Sequence, residues 1–223
     1  MFVVAIDGPA GSGKTTTAKR VAAELGFRHL DTGAMYRALT WLAIQKQINL
    51  DDASALADLA QSAQISFSPD NSGGQLVSIA GQDVTEEIRS PEVSECVSQL
   101  SAHVDVRSAL VARQRELAAS DTGVVVEGRD IGTVVFPNAD LKVFLVASIE
   151  ERAQRRVRDF AADGVVTSVA DQIELMMKRD LADSGRDASP LVEAKGAALI
   201  DTSKLSIDEQ VDKVVSLARE RMS

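Results

Sequence analysis

The chain has 223 residues, 45 % of them apolar and 26 % charged, and its 24 Lys and Arg against 33 Asp and Glu leave a formal net charge of −9. The length allows one large domain or one domain with an insertion, and the composition excludes intrinsic disorder. Net acidity excludes a nucleic-acid polymer as the default partner, because repulsion from a polyphosphate opposes binding.

Residues 2–6, Phe-Val-Val-Ala-Ile, are a continuous apolar run that predicts a buried parallel strand ending at Asp7-Gly8. The run is too short for a secretion signal or a membrane span, so a soluble cytoplasmic protein is expected. Gly8-Pro9-Ala10-Gly11-Ser12-Gly13-Lys14-Thr15 then fits G-x-x-x-x-G-K-[ST], between that strand and a helix predicted over 15–25 with Gly26 as its stop. Glycines let the chain curl until successive N–H groups face one phosphate, and the helix N-terminus adds positive potential. Gly8, Gly11, Ser12, Gly13, Lys14, Thr15 and Thr16 are therefore the expected ATP-binding residues. Lys14 would reach the β- and γ-phosphates, and the Thr15 hydroxyl would ligate the Mg²⁺ that accompanies ATP. The motif specifies a nucleotide and leaves the reaction open.

A short strand over 28–30 leads into Asp31-Thr32-Gly33-Ala34-Met35-Tyr36-Arg37, a strand end, an N-cap and a helix over 34–45 with Arg37 on its second turn. Plain capping with a surface arginine explains this as well as a ligand site does. Trp41 shares a stripe with Ala34, Ala38 and Leu42 and is expected in the core. Strands over 65–67 and 76–79, separated by Pro69-Asp70-Asn71-Ser72-Gly73-Gly74, predict a small antiparallel insert. Asn71-Ser72-Gly73-Gly74-Gln75 imitates a transporter-ATPase signature, but that element opens a helix, and between two strands a hairpin turn is the reading. A GTPase is disfavoured too, since no N-K-x-D sequence occurs. Cys96 is the sole cysteine, so no intrachain disulfide forms, and a reducing compartment is expected.

After a helix over 104–119, three valines over 124–126 read as a buried strand that delivers Glu127, Arg129 and Asp130 to the C-terminal sheet edge, where open α/β sheets bind ligands. A strand over 141–146 precedes a helix over 149–162, where Ile149, Ala153, Val157 and Phe160 make an apolar stripe beside Arg152, Arg155 and Arg156. Either this is a solvated face paired with acids, or the repelling arginines lack an anion. Arg179, Asp183 and Arg186 fall on or just after another helix, and a last strand spans 197–200. Ten of the 16 arginines lie between Arg107 and Arg186, a concentration of planar forks suited to small phosphate or carboxylate ligands. His29 and His103 have no partners at metal-ligand spacing. Strand–helix alternation gives the fold class α/β, a P-loop three-layer fold with a central parallel sheet flanked by helices, plus the small antiparallel insert.

Taken together, these residues resemble the bacterial cytidylate kinases, nucleoside monophosphate kinases that phosphorylate CMP and dCMP. The likeness runs through residues 8–15 and 31–37, Gly81-Gln82-Asp83-Val84-Thr85 with Ile88-Arg89, Val106-Arg107, Gly128-Arg129-Asp130-Ile131-Gly132-Thr133 with Pro137, and residues 179–191. It implies one P-loop kinase domain over 1–223, with a nucleoside-monophosphate lobe at about 32–118 that carries an insert at 64–90, and a lid at about 150–186. It places Thr32, Ser98, Arg107 and Asp130 at the cytidine end, Arg37, Arg129 and Arg186 around the acceptor phosphate, and Arg179 and Asp183 near the ribose. Lys14, Arg129 and the lid residue Arg155 carry catalysis in this reading, ATP and CMP or dCMP are the partners, Mg²⁺ comes with ATP, and a monomer working in pyrimidine nucleotide metabolism is expected. Thr32 stands where Ser also occurs, and Glu127 where Asp is common. A P-loop kinase for UMP or a metabolite hydroxyl, and a nucleotide-binding module without transfer, are the competing readings.

Overall fold

A computed structural model describes residues 1–69, 75–119, 122–162 and 164–223. In chain order the elements begin with β1 (Phe2–Asp7), α1 (Lys14–Leu25), β2 (Arg28–Asp31), α2 (Thr32–Gln45) and α3 (Ala53–Ser62). Next come β3 (Ile65–Pro69), β4 (Gln75–Ile79), β5 (Gln82–Asp83), α4 (Pro91–Leu100) and α5 (Val104–Ala118). The chain closes with β6 (Gly123–Gly128), β7 (Leu141–Val146), α6 (Ile149–Ala162), α7 (Val169–Ser184), β8 (Ala198–Asp201) and α8 (Ile207–Met222). They divide into two compact units, Met1–Leu30 with Leu117–Ser223, and Asp31–Glu116.

The first unit is organised by a five-stranded sheet in the order β2-β6-β1-β7-β8. β1 is its central strand, parallel to β6 with Val3 opposite Val124 and Asp7 opposite Gly128, and parallel to β7 with Val4 opposite Leu141. β7 in turn runs parallel to β8. A strand with neighbours on both edges and cover on both faces must be apolar throughout. The run from Val3 to Ile6 and all of β6 are accordingly buried. On one face α1 and α8 supply Ala18, Val21 and Ala22, and Val211, Val214, Val215 and Ala218, to a core that also contains Val4, Ile6, Val125, Leu141, Val143 and Leu145. Each such side chain contributes about 1.5–3 kcal/mol by leaving water. The start of α8 is fixed by a reciprocal cap in which Ser206 and Glu209 bond each other's backbone N–H, and α7 begins in the same way at Ser168 and Asp171.

In the second unit β3, β4 and β5 form an antiparallel sheet, with Ile65 opposite Ile79 and Ser78 opposite Asp83. The turn expected between the first two, and the Ser72-Gly73-Gly74 imitation within it, lie outside the described residues. Asp31 caps α2 by accepting from Ala34 N at 3.0 Å, which starts that helix at Thr32, two residues earlier than its apolar pattern implied. Ser90 caps α4, and Pro91 occupies its first turn, where a missing N–H costs nothing. The buried face of α2 is Met35, Leu39 and Ala43 with Ala34 and Ala38. Trp41 is only half-buried, because the buried face is centred one position away from the expected stripe.

Candidate active site

The phosphate loop is shaped by backbone requirements. Gly8, at φ 152°, lies so close to β7 that a Cβ on it would stand 2.1 Å from the Leu145 carbonyl oxygen. Gly13, at φ 91°, turns the chain into α1 without any side-chain cap, so the first amides of that helix are addressed by no protein carboxylate or hydroxyl of the cap residue. Lys14 is buried, and its Nζ donates to the Pro9 carbonyl at 2.7 Å and to Ser12 Oγ at 3.5 Å. Burial first, and then the charge of Arg129, push the Lys14 ammonium well below its ordinary pKa, against the opposite pull of Glu127 and Asp7. An anionic ligand on the loop would act against this push and favour the ammonium.

Thr15 and Thr16 are exposed on the first turn of α1. Thr15 Oγ1 donates to Glu127 Oε2 at 2.8 Å, and His29 Nε2 stands 3.0 Å from the other oxygen of the same buried carboxylate. His29, which has no partners at metal-ligand spacing, thus orients the carboxylate that faces the loop. A hydroxyl beside a carboxylate offers two hard oxygen donors, which fits a small divalent cation that takes its remaining ligands from phosphates and water. Among the described residues no group of three His, Cys, Asp or Glu side chains could hold a metal without such help.

At the C-terminal end of β6, Arg129 Nε donates to Asp183 Oδ2 at 2.9 Å. Arg186 Nη1 lies 3.7 Å from Asp183 Oδ1, and Arg179 Nε lies 4.0 Å from Oδ2. Asp183 is therefore the hub of three guanidinium groups, of which its i,i+4 neighbour Arg179 is the most distant. Burial works to raise its pKa, but Arg129, Arg179 and Arg186 together hold the carboxyl below the usual range. Asp130 is buried, and its carbonyl accepts from Val134 N and Val135 N as the chain enters a short helix, Ile131–Val135. Asp7, at the end of β1, accepts from Ile131 N at 2.8 Å and Gly132 N at 2.7 Å. Burial nevertheless raises its carboxyl to about 6.

The helix-face arginines have partners in the protein, so no missing anion is needed to explain their proximity. Arg152 is buried, bonds Asp180 at 2.7 Å, and reaches the Ala10 carbonyl of the phosphate loop at 3.2 Å. Arg155 donates to Thr202 Oγ1 at 3.1 Å, the Thr202 carbonyl at 2.7 Å, Glu151 at 3.1 Å and, more weakly, the Gly11 carbonyl at 3.4 Å. Arg156 stacks over the ring of Phe160, 4.5 Å from its centroid. Within the expected apolar stripe only Ala153 is fully buried, and Ile149, Val157 and Phe160 are half-buried.

Four expected acceptor residues belong to the second unit. Arg37 Nη1 donates to Ser94 Oγ at 2.9 Å and to the Ile88 carbonyl at 3.1 Å. Arg107 is buried, donates to the Ser101 carbonyl at 3.1 Å, and stands 5.2 Å from the Tyr36 ring centroid. Thr32 is buried at the start of α2, and Ser98 is half-buried on α4. Residues that the motifs did not single out include Asp7 and Thr202, the latter donating to the Ser12 carbonyl at 3.0 Å. Asp7 was visible as a charge ending an apolar strand. Thr202 gave no signal of its own.

The cytidylate kinase family model matches residues 4–220. A cytidylate kinase of Lysinibacillus sphaericus is 48 % identical over 98 % of this chain and 97 % of its own length. One from Streptococcus pneumoniae is 46 % identical over 98 % of both chains. A bifunctional pantoate ligase/cytidylate kinase of a Synechococcus strain is 51 % identical, with this chain matching 41 % of its length. Among solved structures, an uncharacterized protein of Eubacterium ventriosum aligns with a TM-score of 0.53 at 13 % identity, over 98 % of this chain and 99 % of that one. TT1252 of Thermus thermophilus aligns with a TM-score of 0.50 at 18 % identity, over 100 % and 98 %. At such identities the structures speak for the fold alone. No helix among the described residues is long and apolar enough to cross a membrane.

Proposed function

The chain belongs to the cytidylate kinase family, and on that footing we propose that it transfers the γ-phosphoryl group of ATP to CMP or dCMP, giving CDP or dCDP. The observation that carries this reading is the pairing, in one unit, of a glycine-shaped loop holding buried Lys14 with three arginines gathered on Asp183. One constellation suits a polyphosphate, and the other a phosphate monoester with its sugar.

A phosphate monoester is already a nucleophile near neutral pH, so the transfer needs no general base. Catalysis is then positioning and charge neutralisation. The loop amides and Lys14 hold the ATP phosphates, and Gly8, Gly11, Ser12, Gly13, Thr15 and Thr16 complete their cradle. Thr15, with Glu127 behind it, would hold Mg²⁺, which supplies Lewis-acid neutralisation of the phosphate oxygens when bound. Arg129, Arg186 and Arg37 take the acceptor phosphate, Arg179 and Asp183 the ribose, and Thr32, Ser98, Arg107 and Asp130 the cytosine. We read Asp31–Glu116 as the nucleoside-monophosphate lobe and about 150–186 as a lid. In closing, Arg155 exchanges Thr202 for the transferring group and shuts out water.

Cytosine offers a donor at C4 beside acceptors at N3 and O2, whereas uracil reverses the first two. A carboxylate at Asp130 can only accept and the Arg107 guanidinium can only donate, which matches cytosine and leaves buried groups unpaired with uracil. CMP is expected to exceed UMP in kcat/KM by about 100-fold or more, with each good contact worth roughly 1–3 kcal/mol. Asp130→Asn should narrow that ratio, because an amide can present either atom. Steady-state kinetics with CMP, dCMP and UMP test this directly: a wild-type preference for UMP would overturn the assignment, and an unchanged ratio in the variant would remove Asp130 from base reading.

A further inference from the structure

β1 and β6 are registered only as far as Asp7 opposite Gly128. Beyond that pair the ladder stops guiding the chain, yet the next two residues, Arg129 and Asp130, are those to which acceptor binding is assigned. Arg129 is held there by Asp183, and the backbone that follows is held by one side chain from the other strand. Asp7 sends its two carboxylate oxygens to two successive backbone amides, Ile131 N at 2.8 Å and Gly132 N at 2.7 Å. These open the helix Ile131–Val135, whose N-cap residue, Asp130, makes no side-chain cap of its own. The helix is capped in trans by the residue that immediately precedes Gly8, the first residue of the phosphate loop.

The fit is tight on both sides. Asp7 is 3 % exposed, which keeps its oxygens away from bulk water. Residue 132 is closely surrounded as well: a Cβ there would meet Ala194 Cβ at 3.1 Å, Lys142 Cδ at 3.3 Å and Asp7 Oδ2 at 3.4 Å. A carboxylate satisfying two orphan helix amides is a favourable and directional contact. It is placed where a small displacement would carry Arg129 and Asp130 with it.

We infer that Asp7 is a positioning residue for the acceptor: its carboxylate ties the Arg129–Asp130 turn to the strand that carries the phosphate loop, and so sets the placement of the CMP-binding side chains without touching CMP. This rests on the acceptor reading above for the identity of the ligand. A merely structural carboxylate would lower stability and leave acceptor discrimination alone. A positioning one shifts KM for the acceptor and spares the ATP side, since misplacement by about 1 Å can cost up to 100-fold.

The test uses the full chain carrying Asp7→Asn, which keeps the shape but sets an NH₂ against one of the two amides. Expected are a cooperative melt, affinity for a fluorescent ADP analogue within about threefold of wild type, a KM for CMP raised about tenfold or more, and a smaller CMP to UMP ratio. An unchanged KM for CMP with a lower melting temperature would overturn the inference, as would an equal loss of ADP and CMP binding. If Asp7→Asn does not fold, Gly132→Ala decides by the same measurements, because it leaves Asp7 in place and displaces its partner. Asp130→Asn in the wild-type background separates the two readings: a ratio unmoved there removes Asp130 from base recognition, while the KM for CMP in Asp7→Asn still rules on Asp7.

Discussion

In the proposed reading the phosphate loop and the arginine cluster both serve phosphate, and they are built by opposite means. The loop is eight contiguous residues whose shape comes from glycine backbone and whose one charged side chain, Lys14, bonds a carbonyl and a hydroxyl of the loop itself. The cluster draws Arg129 from the end of β6, Arg179 and Asp183 from α7 and Arg186 from just beyond it, and its three cations share one carboxylate. A site built from backbone survives the loss of its functional side chain with its form intact. One built from mutually dependent charges loses form and function together.

The comparison breaks most sharply at Lys14. Lys14→Ala should lower kcat by about 1,000-fold or more, some 4 kcal/mol of barrier, because the lysine meets charge that grows in the transition state. Its melting temperature should stay within a few degrees of wild type, since the side chain removed was itself held in an unfavourably buried charge state. Steady-state kinetics and calorimetry on the same preparation check both halves, and near-normal turnover of folded protein would take Lys14 out of the reaction.

At Asp183 the balance reverses. Asp183→Ala leaves three guanidinium groups without their common counter-charge and should cost about 3 kcal/mol of stability. The carboxyl is held below its unfolded value, so the stabilisation it gives is complete above about pH 4 and disappears as the pH falls through the lower folded value. Denaturant titrations at pH 7 and pH 3 should therefore show the gap between variant and wild type closing in acid. A gap at pH 3 undiminished from its size at pH 7 would assign the loss to packing instead of charge.

The smallest effect is expected at Arg155, whose fork bonds Thr202 and reaches the carbonyl of Gly11 in the loop. Arg155→Ala should reduce kcat about tenfold with KM for CMP within twofold, the pattern of a group engaged after closure. Loss of stability with unchanged kcat would make Arg155 a structural clasp between α6 and the Thr202 turn.

The same contrast governs what could be read from the sequence. The loop was legible because its requirements are local: a strand, a run of glycines and a helix in immediate succession. The five strands of the main sheet were legible for a similar reason, as apolar runs bounded by turn residues, to within a residue or two at their ends. The hub at Asp183 was not, because Arg129 lies 54 positions away in sequence and nothing local couples them. Periodicity also misjudged α6: Arg152 is buried against Asp180 while Val157 is only half-buried, since an ion pair across two helices overrides the apolar stripe. The tasks of Asp7 and His29 escaped for want of any distinguishing pattern. Each acts through one long-range partner.

The central position of β1 also bears on how the chain is made. Its sheet neighbours are β6 and β7, which follow it by roughly 120 and 140 residues, so at about 5–20 residues per second a ribosome takes on the order of 10 s to supply them. Throughout that interval Phe2, Val3, Val4, Ala5 and Ile6 have no ladder to join, and an unpaired apolar strand is prone to stray association. The contacts within Asp31–Glu116, by contrast, are all synthesised before Gly123 emerges. The nascent chain can therefore fold this lobe while β1 waits, and the close approach of Leu145 to Gly8 becomes possible only once β7 has been made.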